Sequence, residues 1–546
     1  MRKDVKLKNK LLLIFMVFAL LVSALNLANP RLTFAEQREI TVFSWEDYID
    51  ESLLEVFEEE TGIKVNYYTF AGNEEMYNEV LKDPNACNLL CPSEYMIQKM
   101  KDEDLIKPYD IPDSYSENVA DIIDGVFSDL GFYTQDGKTY ACGYMWGTMG
   151  FVYNMEAISL EDLNSWGVIA EPLLKNKVTI KDSVRDTYIM AVGAVYEEEL
   201  ENLKTTLDPL SKEYNVKLTE IFNRRDDKTI ELVENFLQGA RQNLYGFEVD
   251  SGKNDIVTGK IDVNFAWSGD AVAAIDEGDL AGATLGYAVP DEGSNVWFDG
   301  FVMTKNTNGQ KEQDCVEFLD FICSPESAVL NMDYIGYTSV IAGQEVFDYV
   351  NECYTAESIV ISSEDYSELD PEEQKEYGLL NGEYYSQIDT DLYGELVYDP
   401  QGVYLQTYKI ENGARVDDEI WEVNKVDLKY FFDPTATGDE YVIYSSETGR
   451  ALYAQYADAE TINRCAMMDN FGPDDLARIN AMWNRVKLIT LSTTTIIIIV
   501  SIIVLLILLA VILKYKSVIF KTNEKIPARK ARRIKKGYKI IKIQRL

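Results

Sequence analysis

The sequence predicts a two-lobed α/β fold whose lobes are joined by two extended crossings, with one C-terminal transmembrane helix. Three observations carry this. Strand-like and helix-like segments alternate from residue 38 onward, which implies parallel sheets wrapped by helices. Two long extended runs, "KTYACGYMWGTMGFVYN" and "ATLGYAVPDEGSNVWFDGFVMT", separate the alternating blocks and read as crossings between lobes. Near the end, Leu488–Leu513 is a run of 26 residues without a charge. At about 1.5 Å of rise per residue, such a helix exceeds the roughly 30 Å hydrocarbon core of a bilayer.

In chain order, residues 1–35 have a basic head, an apolar run from Leu11 to Val22, and Thr33 and Ala35 in signal-peptidase spacing. They read as an export signal cleaved after Ala35. "REITVFSW" alternates like a strand, and "DESLLEVFEEETG" is a helix with Asp50 as its candidate cap and Gly62 as its stop. "IKVNYYTF", "NEEMYNEVLK", "NLLCPS" and "EYMIQKMKDEDL" continue the strand–helix alternation, completing the first part of lobe 1 over 36–145. Lobe 2, 146–296, repeats the pattern with "KVTI" then "SVRDTYIMAVGAV", and "IDVNFAW" then "GDAVAAI". The second part of lobe 1 spans 297–487 and includes an acidic, tyrosine-rich stretch, about 354–455, that reads as a surface insertion or a small β-domain. The span 488–513 and a basic cytoplasmic tail, 514–546, complete the chain.

Charge narrows the function. The chain has 51 Lys and Arg against 92 Asp and Glu. Setting aside the export signal (six basic, one acidic) and the tail (thirteen basic, one acidic) leaves 32 basic and 90 acidic residues outside the membrane. Such a field repels nucleic acid and concentrates cations. The basic tail marks the cytoplasmic side, so residues 36–487 are expected outside a single-membrane, Gram-positive type cell. The chain has no histidine, which excludes Ser-His-Asp and Cys-His catalysis and the usual zinc sites. Neither cofactor nor metal is expected. The seven cysteines, an odd number, read mostly as buried free thiols, and their absence from residues 1–86 leaves the C-terminal helix as the expected tether.

In open α/β sheets, ligands bind outside the carboxyl ends of the strands. The predicted strands deliver Trp45, Glu46, Asp47 and Tyr48 after the first, and Ser93 and Tyr95 after the third. Asp182, Arg185 and Asp186 follow "KVTI", while "FAWSGD" brings Trp267 and Asp270. The return crossing supplies Trp297 and Asp299, and "YIGYTS" supplies Tyr337. Single members have plain structural roles: Asp270, Ser93 and Asp182 stand where helix caps stand, and Arg185 where a lobe-internal ion pair could form. What recurs is a tryptophan or tyrosine within three residues of an aspartate. That pairing suits an organic polycation. Ammonium groups leaving water need carboxylates, and the methylenes between them need flat walls that also offer cation–π attraction. Micromolar binding requires only about 8 kcal/mol net.

Several ordered motifs carry a further likeness: "FSWEDYIDESLLEVFEEETGIKV", "CPSEYMIQKM", "DSVRD", "FAWSGDA", "VWFDGF", "IGYTS" and "INRCAMMDNFGPDDLARINAMWNRVK". Together they resemble the bacterial spermidine/putrescine-binding proteins of ABC transporters. The resemblance implies the two-lobed periplasmic-binding-protein (type II) fold with two hinge crossings, closure on a polyamine, and delivery to a permease and its ATPase, without catalysis. A monomer is expected. Carried over by motif, the ligand-binding residues are Trp45, Tyr48, Ser93, Tyr95, Asp186, Trp267, Asp270, Trp297, Asp299 and Tyr337. Glu46 stands where the family's better-known members have threonine, Asp186 where a glutamate is common, and a family glutamine has no counterpart near Met468. These departures leave the choice among putrescine, spermidine and a related amine open. Two alternatives remain from the residues: a binding protein of this fold for another ligand, and an extracellular hydrolase using paired carboxylates.

Overall fold

The computed structural model describes residues 37–488, apart from 370, 372, 389, 390 and 401, together with 505, 506 and 508. The export signal, the tail and nearly all of the run 488–513 therefore lie outside the described residues. Among those described, no helix is long and apolar enough to cross a membrane. The chain divides into two units after Met482. The second begins within the helix Pro473–Lys487; everything below concerns the first.

Its centre is a sheet with twelve strands among the described residues, and eight of them form the main path. From one edge these are Ile63–Phe70, Arg38–Trp45, Leu89–Leu90, Ser294–Thr304, Ala141–Asn154, Val263–Trp267, Val178–Lys181 and Leu244–Glu248. The outer strands pair in parallel on both sides: Arg38–Trp45 with its two neighbours, and Val178–Lys181 with its two. Between them, the crossing strands Ala141–Asn154 and Ser294–Thr304 run antiparallel to each other. Each crossing strand is apolar and buried almost throughout, as a strand covered on both faces must be. Parallel strands on both flanks thus send their carboxyl ends toward one region.

The helices form where the periodicity places them. Ser52–Thr61 buries Leu53 and Phe57 and stops at Gly62, whose φ of 71° needs no Cβ. Asp50 does not cap it: Glu51 is the N-cap, and the Asp50 carboxylate accepts from Ser52 N at 2.9 Å, a turn just outside the helix. Val184–Val195 is capped by Ser183, which accepts from the Asp186 amide, and not by Asp182. The return crossing, expected as one run, is two strands. Leu285–Ala288 pairs with the end of the first crossing, the chain turns at Gly293 (φ 96°), and Ser294–Thr304 then begins. Glu292 fastens that turn by accepting from Ser165 Oγ at 2.5 Å and Trp166 N at 3.1 Å.

The tyrosine-rich stretch is largely antiparallel β structure, including a meander of Tyr393–Asp399, Gly402–Glu411 and Ala414–Glu422. It has a small core of its own around Leu380, Tyr393 and Tyr408. Its downstream part also reaches the second half of the sheet, where Gly449 O accepts from Tyr287 N and Leu285 O accepts from Arg450 Nε, each at 2.9 Å.

Candidate ligand-binding site

Where the parallel strands end, a cavity of about 460 Å³ opens, within the range usual for small-molecule sites. All ten of the ligand-binding residues expected from sequence line it. Trp45 ends its strand beside Phe70, ring centroids 4.8 Å apart. The turn that follows holds Asp47 in the left-handed region (φ 49°), where aspartate is tolerated better than most residues. It delivers Tyr48 into the interior, 5 % exposed. Ser93 and Tyr95 open the helix Glu94–Asp102, and the Asn73 amide ties them together, donating to Ser93 Oγ at 3.1 Å and Tyr95 Oη at 2.9 Å.

On the return crossing, Trp297 lies opposite Gly147, and the pairing register shifts between Asp299 and Gly300. Such an irregularity re-aims the side chain beside it. Asp299 is 6 % exposed; its Oδ2 accepts from Tyr48 Oη at 2.7 Å, while Oδ1 is buried with no well-aligned donor. Burial pushes this carboxyl up to about 6 against the pull of the Ser93 and Tyr48 hydroxyls. Tyr48 and Tyr337 meet edge to face at 5.1 Å, and Tyr337 meets Trp297 at 5.7 Å. Tyr48 donates to Asp299 and Tyr337 to Asp270, so this packed pair of rings links the two carboxylates.

Asp270 has a different environment. Tyr337 Oη donates to its Oδ1 at 3.0 Å, Lys253 Nζ stands 3.2 Å from Oδ1, and Lys181 Nζ donates to Oδ2 at 3.0 Å. Burial would push this carboxyl up, but the two lysines override it and hold it below the usual range. Lys181 is 1 % exposed, with its ammonium 4.2 Å above the Trp267 ring centroid. Burial works against its charge, yet Asp270 and Glu248 outweigh that and raise its pKa, so it remains an ammonium. Asp186 is buried and raised by that burial, with Ser183, Lys181 and Arg185 opposing.

Arg185 is not an ion-pair partner within its own half. Its guanidinium stacks on Tyr95 at 3.8 Å and Phe471 at 4.5 Å, and its Nε reaches Glu74 at 3.4 Å. Lys181, Lys253 and Glu248 were not among the expected site residues. Lys181 and Glu248 end strands and so obey the rule that found Trp45 and Trp267, but a search for acids to hold a cation passes over a lysine.

A larger cavity, about 770 Å³, lies around Asn424–Tyr430 and Glu447–Tyr456. Its cations are already paired: Arg450 with Glu447, Asp279 and Leu285 O, Lys425 with Asp439, Lys429 with Asp427. It holds no counterpart of Asp299. Among the described residues, no group of three or more acidic or cysteine side chains is arranged to hold a metal ion.

Residues 52–345 match the family described as bacterial extracellular solute-binding protein. The chain is 26% identical over 299 residues to the spermidine/putrescine-binding periplasmic protein of Escherichia coli (strain K12), covering 54% of this chain and 75% of that one. It is also 26% identical over 312 residues to the putrescine-binding periplasmic protein of the same strain, covering 56% and 78%. A solved ABC-transporter structure from Listeria monocytogenes covers 83% of this chain and 99% of its own at 21% identity, with a TM-score of 0.50. The fold is thus the mixed α/β fold of the periplasmic binding proteins. With more than half its length matched and its strand ends gathered around one cleft, the chain belongs to the bacterial extracellular solute-binding proteins, a family of receptors and not of enzymes.

Proposed function

We propose that this protein is the extracellular receptor of an ABC importer, capturing a polyamine of the putrescine–spermidine class and passing it to a permease driven by its ATPase. One observation carries the chemistry. Asp299 is a buried carboxylate against Tyr48, Trp297 and Tyr337, with an oxygen that lacks an aligned donor and with no ion pair among the described residues. A ligand ammonium supplies both the missing charge and the missing donor. The wider lining agrees. Nine carboxylates face the cavity against three cations, Lys181, Arg185 and Lys253, so its field draws in a cation and repels an anion. The names of the Escherichia coli relatives point to the same ligand class.

The roles assigned to the ten residues follow. Trp45, Tyr95, Trp297 and Tyr337 wall the alkyl chain, Tyr48 and Ser93 orient Asp299, Trp267 and Asp270 close the second half, and Asp186 and Asp299 meet ligand nitrogens. The receptor acts as a monomer held to the cell membrane by the helix 488–513, with its binding unit outside and the tail inside.

Calorimetry tests this directly. Putrescine or spermidine should bind saturably to the purified chain. Asp299→Asn, which keeps the shape and removes the charge, should weaken binding by about a hundredfold, or roughly 3 kcal/mol. Equal heats with any cation, unchanged by that substitution, would refute the assignment.

A further inference from the structure

Four carboxylates that line the cavity are themselves buried: Asp186, Glu248, Asp270 and Asp299. Two of them already have cations. Lys181 stands between Asp270 (3.0 Å) and Glu248 (3.3 Å), and Lys253 adds a second ammonium to Asp270 at 3.2 Å. The other two, Asp186 and Asp299, form no ion pair among the described residues, and the charge of Asp186 adds to what raises Asp299. The Lys181 ammonium occupies the place that a ligand nitrogen would take on Trp267 and Asp270.

Nor is Lys181 poised to leave. Its Nζ donates to the Val249 carbonyl at 2.6 Å and to Asp270 at 3.0 Å, and Trp267 covers it. Moving it would strand buried acceptors and a buried charge.

We propose that Lys181 is a resident ammonium that fills one nitrogen position of the cleft, leaving two buried carboxylates for the ligand and so selecting a diamine over a triamine. This rests on the polyamine reading above and narrows it. A third ligand nitrogen finds no unpaired buried carboxylate and meets Lys181 as a like charge. Glu46 and Asp47, at the turn after the first strand, are exposed, where solvent screens them and they add little.

The test is calorimetry on the full-length chain in detergent, with putrescine and spermidine as probes. The wild type should bind putrescine at least tenfold more tightly than spermidine. Lys181→Met, similar in length and uncharged, uncovers Trp267 and Glu248 and removes one of the two ammoniums on Asp270, opening a place for a third nitrogen. It should narrow that ratio at least tenfold by tightening spermidine relative to putrescine. Should the methionine variant fail to fold by circular dichroism, Lys181→Gln keeps a donor for the Val249 carbonyl and carries the same expectation. A wild type that binds spermidine as tightly as putrescine, or a variant with an unchanged ratio, overturns the proposal and leaves the polyamine receptor standing. Binding of neither amine overturns the receptor assignment, and this proposal with it.

Discussion

Asp299 is tuned by its surroundings to want a cation. Burial pushes its carboxyl up to about 6, with the charge of Asp186 adding to the effect, and Asp299 in turn helps raise Glu94. The sign of the consequence is fixed. An acid raised on folding is protonated more tightly in the folded chain, so the stability of the empty protein falls as pH rises from about 4 to 6. The loss is about 3 kcal/mol by neutral pH. A ligand ammonium offsets that loss, but below pH 6 it must first displace a proton. Affinity is therefore expected to fall up to tenfold per unit below pH 6, with proton release on binding at pH 5. Asp186, raised by burial too, acts in the same direction. Glu94, pushed up to about 8 while accepting from Phe298 N, titrates outside this window. Calorimetry in buffers of different ionisation enthalpy measures the released protons, and Asp299→Asn should remove most of them. Affinity independent of pH from 5 to 8 would contradict this account. At this scale the sequence was informative in one direction only. Aromatic–acid pairs at strand ends can be read from the chain, whereas the lysine that packs on Trp267 and Asp270 is visible only once Val178–Lys181 and Val263–Trp267 are set side by side.

Two glycines decide how the elements approach one another. Gly269 lies in the first turn of helix Ser268–Ala281, and a Cβ there would fall 2.3 Å from the Tyr337 ring. Its absence lets Tyr337 lie against the helix and donate to Asp270. Gly147 does the same on the crossing strand, where a Cβ would meet Ser268 Oγ at 2.3 Å and the Trp297 ring at 2.7 Å. Gly269→Ala must therefore displace the Tyr337 ring. The expected cost is about 1–3 kcal/mol of stability from overpacking, and at least tenfold in amine affinity as the wall opens. Thermal melts and calorimetry read the two effects separately, and unchanged affinity would show that Tyr337 does not shape the site. Most elements of the sheet and its helices were legible because hydrophobic period and Gly62-type stops are local signals. The break at Gly293 was not. Both flanking strands are apolar, and the residues that fasten the turn, Ser165 and Trp166, are more than a hundred residues away.

At the scale of the whole molecule, a receptor must remain near its permease, and for a cell with one membrane that requires a tether. In the topology proposed above, residues 1–35 would direct 36–487 outward, and the charge-free run of 26 residues followed by thirteen basic residues and one acid would halt transfer with the tail inside. These expectations rest on composition alone, and the segments that carry them lie outside the described residues apart from 488, 505, 506 and 508. The insertion was legible only as a change of composition, since the meander 393–422 is ordered by pairing between its own strands and its periodicity is blurred where both faces meet solvent. The tether is testable without reference to the ligand. In a Gram-positive host, the full-length chain should sediment with membranes, and protease added outside should remove the binding unit while sparing an epitope on the tail. A chain ending at Lys487 should appear in the medium instead. Because the cavity is lined entirely by residues before Met482, that released chain should keep the amine affinity of the tethered one. A shortened chain that still sediments with membranes would place the tether elsewhere.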